Sequence, residues 1–539
     1  MPFTIHKDRR KSGMRKHGFS SFALCILCGV GFTLTPTLAS AGWVAQNAGT
    51  TNYLCSVYFP MDAQTGYAVG QNGTPIPPEY HSVEETWAVL DSLHRLYPAI
   101  TKLDTCGYSQ RFLMPIPHLV ISRNPGTRED EPSALLTGVT HPREPMGNEI
   151  CLYTMRWILQ NYPDSAWARR WVDSMDVHFV PIVNPEGYQY VIDSTSGWPW
   201  WGKNLRDNRG NGGRIHPDSD GVNINRNFDW RWDQAGSGAC TSDLSRGPSP
   251  ASESETQALM NLATQRKFVV GISYHSFGYL VCLPWFYDTL YTPDDATLRE
   301  MASNMGNQIG GYTPYWLRGA SYSSVWFYGQ LGMYDFSVET GKSFIPPAES
   351  IAIECEKNIR GAAYLLDRTF YSGVTGHVRD SLTLEPLVAT VEVLDLAGDS
   401  IVPRTSDSLY GRFYRLLQFG RTYSLSFSKT GYETKTIENL WVPFDSLTTV
   451  EVLLASASGV GERGEAARGV TRYKVWPNPF TSFATLPGHE AERFSLYDVS
   501  GRKVGTYRGD RVGEGLAPGV YFLRSSGSKD KPLRIVKVR

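Results

Sequence analysis

An α/β domain with a mixed, mostly parallel sheet and helices on both faces, followed by two small all-β sandwich domains, is the fold class this sequence predicts. Three observations carry that reading. From about Tyr80 to Tyr371, strand-like apolar runs alternate with helical ones, the pattern of a sheet covered on both sides. From Gly373 the texture changes to short alternating β segments separated by turns. A stretch rich in Ser, Gly, Ala and Glu, residues 456–470, then reads as a linker to a last group of short strands. The length of 539 residues agrees with about three domains.

The N-terminus reads as an export signal. Lys7, Arg9, Arg10, Lys11, Arg15 and Lys16 precede an apolar run from Phe19 to Leu38 that ends in Ala39-Ser40-Ala41, so cleavage is expected after Ala41. The competing reading, a membrane anchor, is weakened by Thr33, Thr35, Pro36 and Thr37 at the far end of the run. Residues 42–79 form an N-terminal extension, too short to fold as an independent inhibitory domain. Removal of the signal leaves Cys55, Cys106, Cys151, Cys240, Cys282 and Cys355, an even number in an exported chain, from which disulfides are expected. With 52 basic and 53 acidic side chains the formal net charge is -1, which offers no footprint for nucleic acid.

Residues 80–372 form the α/β domain. Trp87, Val89, Leu90, Leu93 and Leu96 recur at close to helical spacing within Val83 to Leu96, and Pro98 follows as a stop. Strand-like runs cover His118 to Ser122 and Ser133 to Val139, the second leading into His141. Ile150 to Leu159 is helical, and a strand from Val177 to Val183 runs into Asn184-Pro185-Glu186-Gly187, a turn by its chemistry. Between Trp198 and Trp232 no periodicity survives among the Gly, Asn, Asp, Arg and Trp residues, so a long ordered loop, usually functional, is expected. A helix from Ser252 to Arg266 precedes a buried strand, Lys267 to Tyr274, that delivers His275. A last strand, Met333 to Val338, delivers Glu339, and a helix from Pro347 to Leu366 closes the domain.

The chemistry starts at His141 and Glu144. A lone His-x-x-Glu says little, because with eleven His the spacing arises by chance about half the time. His275, also at a strand end, adds a second imidazole, and three protein ligands that leave one position for water is the arrangement of a catalytic zinc. Such a reaction needs a second carboxylate to move the water's proton, and Glu339 is placed for it.

Five motifs then occur in a telling order: His141-Pro142-Arg143-Glu144, Asn184-Pro185-Glu186-Gly187-Tyr188, Asn225-Arg226-Asn227-Phe228, Ser273-Tyr274-His275-Ser276 and Phe336-Ser337-Val338-Glu339. In this set the region from Tyr80 to Tyr371 resembles the zinc metallocarboxypeptidases of the carboxypeptidase A type (M14). The resemblance implies one zinc ion on His141, Glu144 and His275, with Glu339 as general base and then general acid. It also implies Asn225 and Arg226 as the grip on a free terminal carboxylate, with Arg143 and Ser276 as further substrate contacts.

Two departures stand out. The family usually carries Arg directly after Trp in a Trp-Arg-Lys-Asn segment, where it stabilises the oxyanion, and this chain has Gly202 there. Arg206 is the expected substitute, with Arg209 and Arg214 behind it. Leu317 falls at the place of the tyrosine that caps the substrate, leaving Tyr315 or Tyr322 to do so, and Ser324 falls where side-chain preference is often set.

Residues 373–455 resemble the transthyretin-like domain that follows some carboxypeptidases. Residues 471–539, with Trp476-Pro477-Asn478-Pro479-Phe480 and Gly519-Val520-Tyr521, resemble the C-terminal sorting domain of the bacterial type IX secretion system; an Ig-like adhesion module is the competing reading. The expectation is a secreted or cell-surface bacterial peptidase, monomeric, acting on peptide or protein C-termini and handled by the type IX machinery. Its rivals are a cell-wall peptide amidase of the same fold and a catalytically weak binding protein on this scaffold.

Overall fold

A computed structural model describes residues 54–58, 67–70, 76–193, 200–216, 218–287, 290–396, 401–457, 475, 478, 480–499, 501–525 and 533–538. The expected signal, its cleavage site and the 456–470 linker fall outside them, apart from residues 456 and 457 of the linker. The chain divides into two compact units, Met1–Ser458 and Gly459–Arg539. Among the described residues no helix is long and apolar enough to cross a membrane.

In the first unit, β1 (Leu54–Tyr58) and β2 (Tyr67–Gly70) pair antiparallel in the N-terminal extension. The main sheet uses β3 (Thr101–Tyr108), β4 (Pro115–Ile121), β5 (Ser133–Thr137), β6 (Asp176–Val180), β7 (Val270–His275) and β8 (Leu280–Leu283). After a short ribbon of β9 (Phe286–Tyr287) and β10 (Leu290–Tyr291) come β11 (Thr313–Trp316) and β12 (Tyr334–Glu339). Their order is β11-β8-β12-β7-β5-β6-β4-β3. The four central and edge pairs β11/β8, β12/β7, β7/β5 and β5/β6 are parallel, and β8/β12, β6/β4 and β4/β3 are antiparallel. The expected mixed, mostly parallel sheet is what forms.

Helices α1 (Val83–Leu96), α2 (Met146–Asn161), α3 (Ala166–Ser174), α4 (Pro185–Asp193), α5 (Ser254–Arg266), α6 (Asp295–Ile309), α7 (Ser323–Trp326) and α8 (Ile351–Arg368) complete the domain. A capping box starts α1: Glu85 N–H donates to Ser82 Oγ (3.2 Å) and Ser82 N–H to Glu85 Oε2 (2.8 Å). Helix α4 corrects the reading of Asn184-Pro185-Glu186-Gly187 as a turn. Asn184 Oδ1 accepts from Gly187 N–H (3.0 Å) while Pro185 occupies the first turn, so the same turn-forming residues cap and start a helix.

The two faces of the sheet differ chemically. Val270, Ile272 and Tyr274 of β7 and Tyr334, Phe336 and Val338 of β12 enter the large core with α1, α2, α6 and α8. The alternate positions, Gly271, Ser273 and His275 with Asp335, Ser337 and Glu339, project to the other face. There Leu135, Ala258, Leu259, Phe228 and Trp326 form a smaller core that includes α5.

Residues after Gly373 form two three-stranded sheets, built from β13 (Gly373–Asp380), β14 (Thr390–Val393), β15 (Arg412–Leu416), β16 (Arg421–Ser428), β17 (Lys435–Val442) and β18 (Leu447–Leu454). The orders are β15-β13-β18 and β14-β16-β17. The sandwich is not purely antiparallel: its first and last strands, β13 and β18, lie side by side in parallel. It is also tied to the α/β domain: Arg415 pairs with buried Asp294 (2.8 Å), Tyr334 OH donates to Leu416 O (2.8 Å), and Arg368 donates to Leu417 O (2.8 Å).

In the second unit, β19 (Arg493–Asp498), β20 (Lys503–Arg508), β21 (Gly519–Ser525) and β22 (Leu533–Lys537) make one antiparallel sheet, ordered β20-β19-β21-β22. Phe480, Leu486, Phe494, Leu496, Leu523 and Ile535 form its core. The disulfides expected from cysteine parity do not form among the described residues: Cys106, Cys151, Cys240, Cys282 and Cys355 are free. Cys151, Cys282 and Cys355 are instead small apolar fillers of the main core, a common use of the residue.

Candidate metal centre and active site

Three central strands build the site at their C-terminal ends. β5 leads into His141, β7 ends on His275, and β12 ends on Glu339, whose register partner across the sheet is His275 itself. Ligands therefore gather beyond the carboxyl ends of parallel strands, where open α/β sheets place their sites. The turn from β5 into α2 needs glycine at Gly138, because a Cβ there would lie 2.5 Å from the carbonyl carbon of Gly147. That close approach brings the first turn of α2, and Glu144 just before it, against the strand end.

His141, Glu144 and His275 converge, with one ligand atom from each within 4.8 Å of the others. Glu144 lies between the two rings: its Oε1 is 2.9 Å from His141 Nδ1 and its Oε2 is 2.9 Å from His275 Nδ1. Burial opposes ionisation of Glu144, but the His141 charge and the hydrogen bonds from both imidazoles outweigh it and hold the carboxyl down at about 2. His141 Nε2 is 3.2 Å from Asn223 Oδ1, which only accepts. That contact places a proton on Nε2, so in the neutral ring Nδ1 can ligate a cation in place of its hydrogen bond to Glu144. Two imidazoles and a carboxylate from two segments, the turn after β5 and the end of β7, are a donor set that fits zinc with a position left for water.

Glu339 is half-buried beside these ligands. Burial, reinforced by the Glu144 charge and opposed by His275 and Arg226, pushes its carboxyl up to about 7. Behind it on the same face, Ser337 Oγ lies 2.7 Å from Ser324 Oγ, and Ser273 Oγ donates to Asp335 Oδ2 (3.3 Å).

The loop after α4 supplies the other wall. Asn204 organises it: Nδ2 donates to Glu253 Oε2 (2.8 Å) and Glu255 Oε2 (3.3 Å), and Oδ1 accepts from Val222 N–H (2.9 Å) and Arg206 N–H (3.2 Å). A 3-10 turn, Ile224–Arg226, presents the Asn225-Arg226 pair. Asn225 Oδ1 accepts from Ser323 N–H (2.8 Å), leaving Nδ2 near His275 Nε2 (3.4 Å). Arg226 donates to Asn225 O (2.7 Å) and stacks on the Tyr322 ring, 4.1 Å from its centroid. Burial pulls the Arg226 guanidinium below its ordinary pKa, against the pull of Tyr322, Glu339 and Glu144.

Of the two tyrosines left open by the sequence, Tyr322 therefore sits with Arg226, whereas Tyr315 is 43% exposed on edge strand β11 and Leu317 is buried in the main core. Ser276 is buried, with its Oγ 3.3 Å from Thr340 Oγ1. Arg206 does not reach into the site as expected. It pairs with the buried carboxylate of Glu253 (3.0 Å), and Arg209 is likewise held by Asp220 (2.8 Å). Arg143 lies against Gly202, donates to Trp200 O (2.8 Å), and places its guanidinium 4.3 Å from the centroid of Phe344. The sequence reading missed Asn223, Phe344 and Trp200. Asn223 was accessible in principle as a polar residue two before Asn225, but the aromatic pair meets only through tertiary structure.

The sequence profile of the zinc carboxypeptidase family matches residues 86–361, just over half of the chain. The chain is similar to carboxypeptidase D of Anas platyrhynchos, at 26% identity over 449 residues that cover 76% of this chain and 29% of that protein. It is 25% identical over 310 residues to carboxypeptidase O of Bos taurus, covering 54% of this chain and 79% of the relative. Among solved structures, thrombin activatable fibrinolysis inhibitor aligns with a TM-score of 0.47 at 22% identity, covering 53% of this chain and 73% of the other. The chain spans less than a third of the length of the duck relative. Since the matched span contains all three converging ligands and Glu339, the chain belongs to the zinc carboxypeptidase family.

Proposed function

We propose that the protein is an exported zinc carboxypeptidase that removes residues from the free C-termini of peptides. The convergence of His141, Glu144 and His275 beside a half-buried Glu339 is the observation that carries this reading. Zinc held by those three residues would lower the pKa of a coordinated water and polarise the carbonyl under attack. Glu339 takes the proton of the attacking water and returns it to the leaving amine, work for which its place at the end of β12, opposite His275, suits it. Arg226 and Asn225 hold the substrate's terminal carboxylate, and Tyr322, stacked on Arg226, closes over it. A guanidinium kept in an apolar setting gains most from an anionic partner, which favours a charged chain end over an internal peptide.

The outer parts of the reading follow from the sequence. Residues 1–41 export the chain across the inner membrane, residues 373–455 serve as a transthyretin-like companion to the 80–372 domain, and 471–539 address the type IX machinery, placing the enzyme outside a bacterial cell.

The test is a matched pair of peptides with a free and an amidated C-terminus. The free peptide is expected to be trimmed and the amidated one to be spared; equal cleavage of both would refute the carboxypeptidase reading. Including cell-wall peptides in the panel separates the amidase alternative by substrate choice.

A further inference from the structure

The arginine expected after Trp201 is absent, and neither Arg206 nor Arg209 is free to replace it, because buried carboxylates hold both. The space beside Gly202 is nevertheless filled by a cation. A Cβ built on Gly202 would lie 2.9 Å from the guanidinium carbon of Arg143 and 3.1 and 3.2 Å from its Nη2 and Nη1. Arg143 stands between the ligands His141 and Glu144 in the chain, so its backbone is fixed by the centre itself. Its guanidinium is held from three sides: Trp200 O accepts from Nη1, the Phe344 ring lies under it, and Asp243 is 3.4 Å away. Its Nε is buried and has no hydrogen-bond partner among the described residues.

We infer that Arg143 is the cation that stabilises the negative charge developing on the scissile carbonyl oxygen, and that glycine at position 202 is the accommodation that lets its guanidinium occupy this place. The inference rests on the carboxypeptidase reading. Fixed donors aimed at a developing oxyanion favour the transition state over the bound substrate, so Arg143 acts on kcat rather than on substrate affinity. Phe344 and Trp200 hold the guanidinium in position and spare it reorganisation during the reaction.

The experiment uses the full zinc-loaded chain, with zinc content measured for every variant. R143A is expected to lower kcat by about 10²–10³-fold with KM little changed, the size seen when one oxyanion donor is removed. Introducing a side chain at the recess, Gly202→Ala, should displace the guanidinium and lower kcat in the same sense. Adding G202R to R143A should restore much of the loss. Binding supplies a readout independent of turnover: a peptide phosphonate, which mimics the tetrahedral anion, should lose affinity for R143A by a similar factor, while the carboxylate product should not. If R143A changes only KM, or leaves phosphonate and product affinities in their wild-type ratio, Arg143 is a ground-state contact and the inference falls. Failure of wild-type turnover would count against the carboxypeptidase reading, and the phosphonate ratio would still decide the role of Arg143.

Discussion

Glu339 carries the sharpest prediction at the residue scale. Glu339→Gln keeps the size and the half-buried setting but removes the basic carboxylate, so hydrolysis should fall by about 10²–10⁴-fold while zinc stays bound, measured by kcat and metal content on one preparation. Survival of full activity would show that another group moves the proton. His141→Ala should act differently, releasing the metal at chelator concentrations that wild type resists, because only two ligands remain. These residues were legible in the sequence because each closes a strand: His141, His275 and Glu339 stand at the ends of apolar runs, and Glu144 follows within one turn. The role of arginines was not legible. Arg206 is drawn to a buried partner, Glu253, 47 residues away, and Arg143 rests against Gly202, where no Cβ stands in its way. Spacing carries no information about either. The contact of Tyr322 with Arg226 is of the same kind, made across the fold by residues 96 apart in sequence.

At the scale of elements, the alternation along β7 and β12 explains why one sheet can be both a core and a site. Their apolar positions pack on one face, and Ser273, His275, Asp335, Ser337 and Glu339 line the other. The apolar half made the strands recognisable. The loop after α4 had no such pattern, and its order comes from Asn204 satisfying Glu253, Glu255 and Val222 at once. Asn204→Ala would leave two buried carboxylates and a backbone N–H short of partners, and should cost about 3 kcal/mol or more in stability by denaturant unfolding. Glu255, at the start of α5, adds a pH dependence. Burial, with the Glu253 charge, pushes its carboxyl from 4.5 up to about 7, against hydrogen bonds from Gln110 N–H and Asn204. The folded chain thus holds this proton more tightly than the unfolded chain. Its contribution is fully present below about pH 4.5 and is lost as pH rises through about 7, a change on the order of 3 kcal/mol. Glu255→Gln should flatten that decline, read as melting temperatures between pH 5 and 8; an unchanged slope would assign the titration elsewhere. Polar strands were the other blind spot: β17, mostly exposed, has no apolar alternation to reveal it.

For the molecule as a whole, the sequence boundary at Gly373 is real as a change of texture but not as a break in packing. Leu416 of the sandwich belongs to the main core, and Arg415 and Asp294 pair with side-chain exposures of 7% and 1%. Tyr328 OH also donates to Asp294 (2.8 Å), so the carboxylate is fully committed at this junction. Arg415→Met should therefore cost about 3–5 kcal/mol, because it strands a buried charge, and should lower the melting temperature of the α/β domain together with the sandwich. Two separate transitions with only the sandwich affected would contradict that coupling. Such contacts join residues 49, 82 and 121 apart and leave no trace in local composition, which is why the two modules read as independent. The central claim, that one zinc on His141, Glu144 and His275 drives removal of C-terminal residues, is tested most directly by mass-spectrometric ladder sequencing of a mixed peptide pool, with and without a chelator. The account predicts ladders shortened from the C-terminus, absent with chelator and restored by added zinc. Ladders that persist without metal, or cuts at internal bonds or N-termini, would contradict it.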